Sequence, residues 1–230
     1  MPKILFANAR SIVNKLDAIA VTTKQQNIKC LALAETWYNN NHSEEISVIP
    51  DFCCFRDDRT STVGGGVAIW AHSSLLPRSF NFRDKPPFIE AVCVCILSSV
   101  YVICVYVPPT PAVKRDCREC ILHFLVDVID KITYLSDHNE IVVCGDFNHF
   151  PVYSLMNSCN LSNMFTGITY NHNQLDYVLM SESLSESYVV TTEAPIDNSR
   201  VAHASLMATP QLDVREEHQS RGTLKTFFRY

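Results

Sequence analysis

The 230-residue sequence has no run of lysines and arginines; 19 basic residues face 24 acidic ones, for a formal net charge of −5. Affinity for nucleic acid normally rests on phosphate neutralisation and leaves a basic footprint. Charge therefore signals no tightly held nucleic acid, although an enzyme that grips phosphate through a metal ion is not excluded. Internal repeats and low-complexity tracts are also missing, which sets aside solenoid and linker-like architectures. The longest apolar stretch, residues 91–107, is broken by Ser98-Ser99, is dominated by Val and Ile, and closes at Pro108-Pro109. A strand, a tight turn and a second strand explain it better than a helix of roughly 20 apolar residues, so no membrane span is expected. Asn8 and Arg10 arrive too early for the apolar region of a signal peptide, and none is expected. The ten cysteines lack framework spacing. Cys93, Cys95, Cys104 and Cys144 lie inside apolar runs as small hydrophobes do, which points to a reduced, intracellular protein. Cys117 and Cys120 form a lone C-x-x-C with no second pair and no nearby His pair, better read as two positions on one helix than as a zinc site.

What is present fits one α/β domain with a sizeable core, or at most two small domains: 47% of residues are hydrophobic and 19% charged. Short apolar runs at Ile4–Ala9 and Cys30–Ala34 read as buried strands, and Ser11–Gln26 between them shows helical spacing through Ile12, Leu16, Ile19 and Ala20. Residues 39–45 read as a loop. Gly64-Gly65-Gly66 reads as a turn feeding a strand at Val67–Trp70 and lacks the Gly-Lys-Ser/Thr that would complete a P-loop. Glu90–Leu97 and Tyr101–Val107 are the paired strands already inferred. Lys114–Leu135 is a helix with Cys117, Ile121, Phe124, Leu125, Val128, Ile129 and Ile132 on one face. Glu140–Cys144, Leu175–Met180, Tyr188–Thr192 and Ala204–Ala208 read as later strands. Composition turns polar from Pro210, which sets a domain over residues 1–209 and a linker-like tail over 210–230.

Several of these strands end in, or begin at, a carboxylate or amide: Asn8, Glu35, Asp146 with Asn148, and Asp176. Strand ends that face the same way gather such groups at one sheet edge, where sites in α/β folds lie. Clustered carboxylates repel one another unless a cation neutralises them, and an Asp, Glu and Asn cluster suits a hard ion such as Mg²⁺. In Asp146-Phe147-Asn148 the alternation of a strand sends the two polar residues to one side and Phe147 inward. Trp37 and Trp70 both follow apolar strands and read as core, with Trp37, beside Glu35, the better candidate for substrate contact. His42, His72, His123, His138, His149, His172 and His218 share no spacing, and most of them read as exposed.

The order of these segments resembles the endonuclease/exonuclease/phosphatase superfamily, and more narrowly the endonuclease domains of non-LTR retrotransposons of the chicken-repeat branch. The matching segments are Asn8-Ala9-Arg10-Ser11 with Asn14-Lys15, Ala34-Glu35-Thr36-Trp37, Gly64-Gly65-Gly66-Val67-Ala68-Ile69, Tyr106-Val107-Pro108-Pro109, Gly145-Asp146-Phe147-Asn148, Leu175-Asp176-Tyr177 and Ala202-His203-Ala204-Ser205-Leu206. The resemblance implies a four-layer α/β/β/α sandwich of two mainly antiparallel sheets (DNase-like). It implies Mg²⁺-dependent hydrolysis of DNA phosphodiesters to 3′-hydroxyl nicks, with Mn²⁺ as the alternative ion. Glu35 holds the metal with Asn8. Asp146 activates the attacking water, Asn148 holds a phosphate oxygen, and Tyr106 donates its hydroxyl to the phosphate. His203, oriented by Asp176, polarises the phosphoryl oxygen or transfers a proton; Asn8, Arg10 and Trp37 contact substrate. The implied partners are DNA and a reverse transcriptase domain in a longer parent protein, to which residues 215–230 resemble the connector; the implied location is nuclear when the protein acts on DNA.

Two departures from the family pattern bear on activity. Val201-Ala202-His203 stands where the family carries Ser-Asp-His, so a carboxylate is missing beside the metal site; Asp197, upstream, substitutes only if its loop folds back. Tyr170 stands where related elements carry Arg, which removes a contact to the DNA backbone. The readings left open are an impaired transposon remnant acting at most as a binding module, and a phosphatase of the same fold.

Overall fold

The computed structural model describes residues 1–39, 41–60, 62–109, 115–196 and 202–211. In chain order its elements are β1 (Ile4–Asn8), α1 (Leu16–Gln25), β2 (Cys30–Ala34), β3 (Phe52–Asp57), β4 (Val67–His72) and β5 (Arg78–Phe80). Then come β6 (Glu90–Ile96), β7 (Val100–Tyr106), α2 (Arg115–Leu135), β8 (Glu140–Asp146), α3 (Val152–Cys159) and β9 (Leu161–Asn163). The last are β10 (Asp176–Ser181), the single turn α4 (Glu182–Ser185), β11 (Tyr188–Glu193) and β12 (Ser205–Pro210). The tail from residue 212, Lys114 and Asp197 lie outside the described residues.

The strands form two six-stranded sheets, ordered β11-β12-β1-β2-β4-β3 and β5-β6-β7-β8-β10-β9. Each sheet has one parallel pair near its middle, β1 with β2 and β7 with β8, bridged by α1 and α2 respectively. The other pairings are antiparallel. Alternate residues of each strand face opposite sides, and both sides are covered. Phe6, Ala32, Ile69, Val94, Cys104, Cys144 and Val178 fill the space between the sheets. Leu5, Leu31, Leu33 and Trp70 turn outward and meet Ile12 and Ile19 on the α1 side. Ile103, Val143 and Leu179 turn outward from the second sheet onto α2 and α3. The result is the expected four-layer sandwich, with helix, sheet, sheet and helix in turn.

Apolar residues of α2 at positions 121, 124, 125, 128, 129 and 132 are all buried, as their spacing requires. The helix between β1 and β2 begins at Leu16 rather than Ser11. Arg10, Ser11 and Asn14 adopt left-handed backbone conformations, and the N–H groups of Ser11 and Ile12 bond to the carbonyls of Glu35 and Thr36. Tertiary main-chain bonds there outweigh the 3.6-residue pattern. Elements the patterning did not indicate are β3, β5, β9 and α3, together with the single turn α4. The first three are edge strands, and two of them have only three residues. The fourth starts directly after Pro151, where proline suits a first turn. Trp70 is fully buried, with its indole N–H on the Ser47 carbonyl at 2.7 Å, whereas Trp37 is 39% exposed.

Gly145 pairs with Val105 across the β7–β8 junction, and a Cβ added there would lie 2.3 Å from the Val105 carbonyl oxygen. Replacing it forces backbone apart at the end of the strand that carries Asp146. Gly145→Ala is expected to lower the melting temperature by about 5 °C, from an overpacking cost of order 1–3 kcal/mol. An unchanged melting curve from scanning calorimetry would show that the junction yields freely.

Candidate active site

The register of the second sheet sets four polar residues in one row. Glu90 lies opposite Tyr106, Tyr106 opposite Asp146, and Asp146 opposite Asp176. Each sits two positions beyond an inward-facing apolar residue (Val92, Cys104, Cys144, Val178), so all four point between the sheets. Glu90, Tyr106, Asp146 and Asp176 are buried. The apolar core of the sandwich therefore ends at one edge in a band of acid and hydroxyl groups.

The facing sheet closes this band. The Asn8 amide nitrogen, at the end of β1, donates to Glu35 Oε1 at 3.0 Å and to Asp146 Oδ2 at 2.8 Å. Its oxygen accepts the Arg10 N–H at 3.1 Å. As placed, Asn8 bridges two carboxylates through nitrogen and presents no oxygen to a metal between them. Glu35 and Trp37, just past β2, have φ of 53° and 59°, and Asn148, just past β8, has φ of 47°. Left-handed backbone at non-glycine residues costs energy and collects at functional sites; at this edge it follows β1, β2 and β8. The expected strand alternation through Asp146-Phe147-Asn148 is not found, because β8 ends at Asp146. Phe147 is fully buried under α2 and α3, as expected. Asn148 returns through its left-handed turn, its N–H on Asp146 Oδ1 at 3.0 Å and its amide nitrogen on the Val107 carbonyl at 2.8 Å.

His203 Nδ1 lies 2.6 Å from Asp176 Oδ2, and both residues are buried. The buried hydroxyl of Thr169 accepts the N–H groups of Leu175 and Asp176, while its carbonyl accepts the N–H of Ala204. One residue thus holds the carboxylate and the histidine segment together. Tyr170 stacks on the His203 ring, with centroids 4.3 Å apart and planes 20° from parallel. At this position a tyrosine supports the histidine.

Charge in the band is strongly coupled. Burial, and next the Asp176 charge, raise the Asp146 carboxyl to about 7, against the opposing pull of His203, the Asn148 N–H and Asn8. Burial by itself lowers His203, but the bond to Asp176 and the charges of Asp176, Asp146 and Glu35 outweigh it, so His203 titrates above its ordinary value. Burial, then Glu35 and Asp146, push the Tyr106 hydroxyl far up, which keeps it a donor. Asp146, Asp176 and His203 offer ligand atoms within 4.8 Å of one another, and Asp176 Oδ1 is buried without a hydrogen-bond partner among the described residues. An oxygen-rich cluster with an unmet lone pair and mutually repelling acids fits a hard divalent cation. Glu35 joins that cluster through Asn8.

Trp37 leans over Gly64, its indole N–H 3.3 Å from Glu35 Oε2, and Arg10 is exposed at the same edge. A cleft of about 820 Å³ opens beside Trp37, with Ser11, Asn14, Asn39, Arg59 and Gly64 in its walls. Patterning did not indicate Glu90 or Arg59. Glu90 was detectable as a charge at an inward position of an apolar strand. Arg59 sits in a polar loop and meets its partner 31 residues away, which leaves no local signal. Cys117 and Cys120 both lie on α2. His123, His138, His149 and His172 are exposed and His42 and His72 half-buried, while His218 lies outside the described residues.

Comparison with known proteins places this geometry. The structure matches an AP endonuclease from Archaeoglobus fulgidus at TM-score 0.63 and 16% identity, over 92% of this chain and all of that one. It matches a 3′-5′ exonuclease from Neisseria meningitidis at 0.68 and 18%, over 91% of this chain and all of that one. A third match is the human Nocturnin catalytic domain with bound sulfate, at 0.62 and 13%, over 90% of this chain and 93% of that one. At these identities the likeness is one of fold. No curated protein matches the sequence significantly. The family model described as "Endonuclease/Exonuclease/phosphatase family" matches residues 6–200, and the chain belongs to that family.

Proposed function

We propose that this chain is a Mg²⁺-dependent DNA endonuclease that leaves 3′-hydroxyl nicks, with Mn²⁺ able to replace Mg²⁺. The observation that carries the proposal is the cross-strand row Tyr106–Asp146–Asp176, closed from the facing sheet by Asn8 and from the β12 approach by His203. Asp146, raised toward neutrality, suits a general base that takes a proton from the attacking water. His203 gives Nδ1 to Asp176 and so holds its other ring nitrogen toward the phosphate, where a proton steadies the phosphoryl oxygen. Tyr106 remains protonated and donates to a second phosphate oxygen. Asn148, with one amide hydrogen on Val107, keeps the other for a third contact. Arg10 and Trp37 lie where the strand flanking the scissile phosphate would run. Glu35 and the Asp146–Asp176 cluster would hold a divalent cation, which would supply charge neutralisation at the phosphate and at the leaving 3′-oxygen. Origin in a non-LTR retrotransposon, with a reverse transcriptase in the parent protein and action in the nucleus, is supported by the order of the sequence segments.

A second reading, a weakened remnant of such an enzyme, rests on Ala202, whose place beside His203 would otherwise hold a carboxylate. A supercoiled-plasmid assay separates the two. The unmodified chain is expected to nick in Mg²⁺ and to stop in EDTA, and Asp146→Ala is expected to cost roughly 10²–10⁴-fold. No nicking before Ala202→Asp and clear nicking after it would establish the remnant; nicking that survives Asp146→Ala would remove the proposed mechanism. Release of inorganic phosphate from a 3′-phosphorylated oligonucleotide without strand cutting would identify a phosphatase.

The same charges predict how metal-free stability follows pH. The folded Asp146 holds a proton that the unfolded chain loses near the ordinary value of 3.8, so stability falls as pH rises from about 4 to about 7. His203, also raised, contributes stability that is complete below its ordinary value of 6.5 and lost as pH passes through its folded one. The metal-free protein should therefore melt several degrees lower at pH 8 than at pH 5.5. Mg²⁺ should restore the loss at pH 8, and Asp146→Asn should flatten the profile; melting that rises with pH without metal would contradict the coupling.

A further inference from the structure

Arg59 and Glu90 form a buried pair whose placement the proposed chemistry leaves unexplained. The guanidinium grips the carboxylate with two bonds, Nε to Oε1 at 2.7 Å and Nη2 to Oε2 at 2.8 Å. The two side chains are only 15% and 6% exposed. Burial makes such a pair costly unless its geometry is good, and a two-pronged Arg–carboxylate contact is the geometry that repays the cost.

Joining the sheets does not account for it. The Ala91 N–H already bonds to Asp57 Oδ2 at 2.9 Å, and Lys85 reaches the same oxygen at 2.9 Å. What Arg59 adds is its cover of Tyr106. Its guanidinium carbon lies 5.3 Å from the centre of the Tyr106 ring, and Glu90 is the cross-strand neighbour of Tyr106 in the polar row. On the loop side it meets Gly65, where φ is 72° and an added Cβ would sit 2.3 Å from that carbon. The backbone of the triple glycine thus leaves room for the guanidinium over the ring, and Glu90 fixes where along the row it stops. A cation over an aromatic face is attracted to it, and its planar fork cannot turn without breaking both bonds to Glu90.

We propose that Arg59 is a positioning residue: clamped by Glu90 and seated against Gly65, it holds the Tyr106 ring so that the hydroxyl meets the scissile phosphate in one orientation. The proposal rests on the endonuclease reading, in which Tyr106 contacts phosphate. Arg59 acts through Tyr106 and has no contact of its own to the reacting atoms. A small misplacement of such a group costs turnover more than affinity.

Two variants test this without leaving Glu90 as a lone buried charge. Arg59→Lys keeps the charge and loses the planar face. Arg59→Met combined with Glu90→Gln removes the pair together. In plasmid nicking each is expected to lower kcat roughly ten- to a hundredfold with KM within about twofold. In a Tyr106→Phe background, where there is no hydroxyl left to aim, the same changes should cost less than about twofold. Equal losses in both backgrounds, or a loss confined to KM, would overturn the proposal. A readout independent of activity is ring flipping of ¹³C-labelled Tyr106, assigned by its disappearance in Tyr106→Phe. Arg59→Lys should speed the flipping, and an unchanged rate would overturn the proposal even in a chain that does not nick. Absence of nicking by the unmodified chain would count against the endonuclease reading alone, because the flipping rate still decides the role of Arg59.

Discussion

The Asn8 amide joins the two sheets at the edge where their acids meet. Its nitrogen spans from Glu35, at the end of a strand in one sheet, to Asp146, at the end of a strand in the other. Without a donor there, two carboxylates would face each other at the rim of an apolar sandwich, with Asp176 adding a third charge behind Asp146. Left-handed residues follow β1, β2 and β8 at this edge, and there each bends the chain where its strand delivers a polar group. Thr169 does the same for Asp176 and the segment of His203 through three hydrogen bonds.

Much of this was legible in the chain itself, for a physical reason. Apolar strands that end at Asn8, Glu35 and Asp146 or begin at Asp176 declare their polar ends, because a carboxylate at the end of a buried strand must lie at an edge. Strand register then does what sequence cannot state, placing Tyr106, Asp146 and Asp176 in one row. Glu90 belongs to that row and was readable by alternation with Val92 and Val94. Arg59 was not readable, because its role comes from a loop folding back over Tyr106. The start of α1 was misplaced for a related reason: hydrogen bonds to Glu35 and Thr36 decide the path of residues 10–14.

Tyr170 and Ala202, the two positions read from the sequence as departures from the retrotransposon pattern, differ in three dimensions. Tyr170 makes a face-to-face contact with His203, so that it braces the histidine. Ala202 makes no comparable contact among the described residues, where Asp176 Oδ1 is also buried without a partner. The acidic cluster thus still repels itself, the condition under which a divalent cation stabilises a site most.

If these acids form one cation site at the junction of the two sheets, crystals soaked in Mn²⁺ will show it by anomalous diffraction. A single strong peak within coordination distance of the Glu35, Asp146 or Asp176 carboxylates is expected. At saturating Mn²⁺, a map with no peak at this edge would contradict a cation site there.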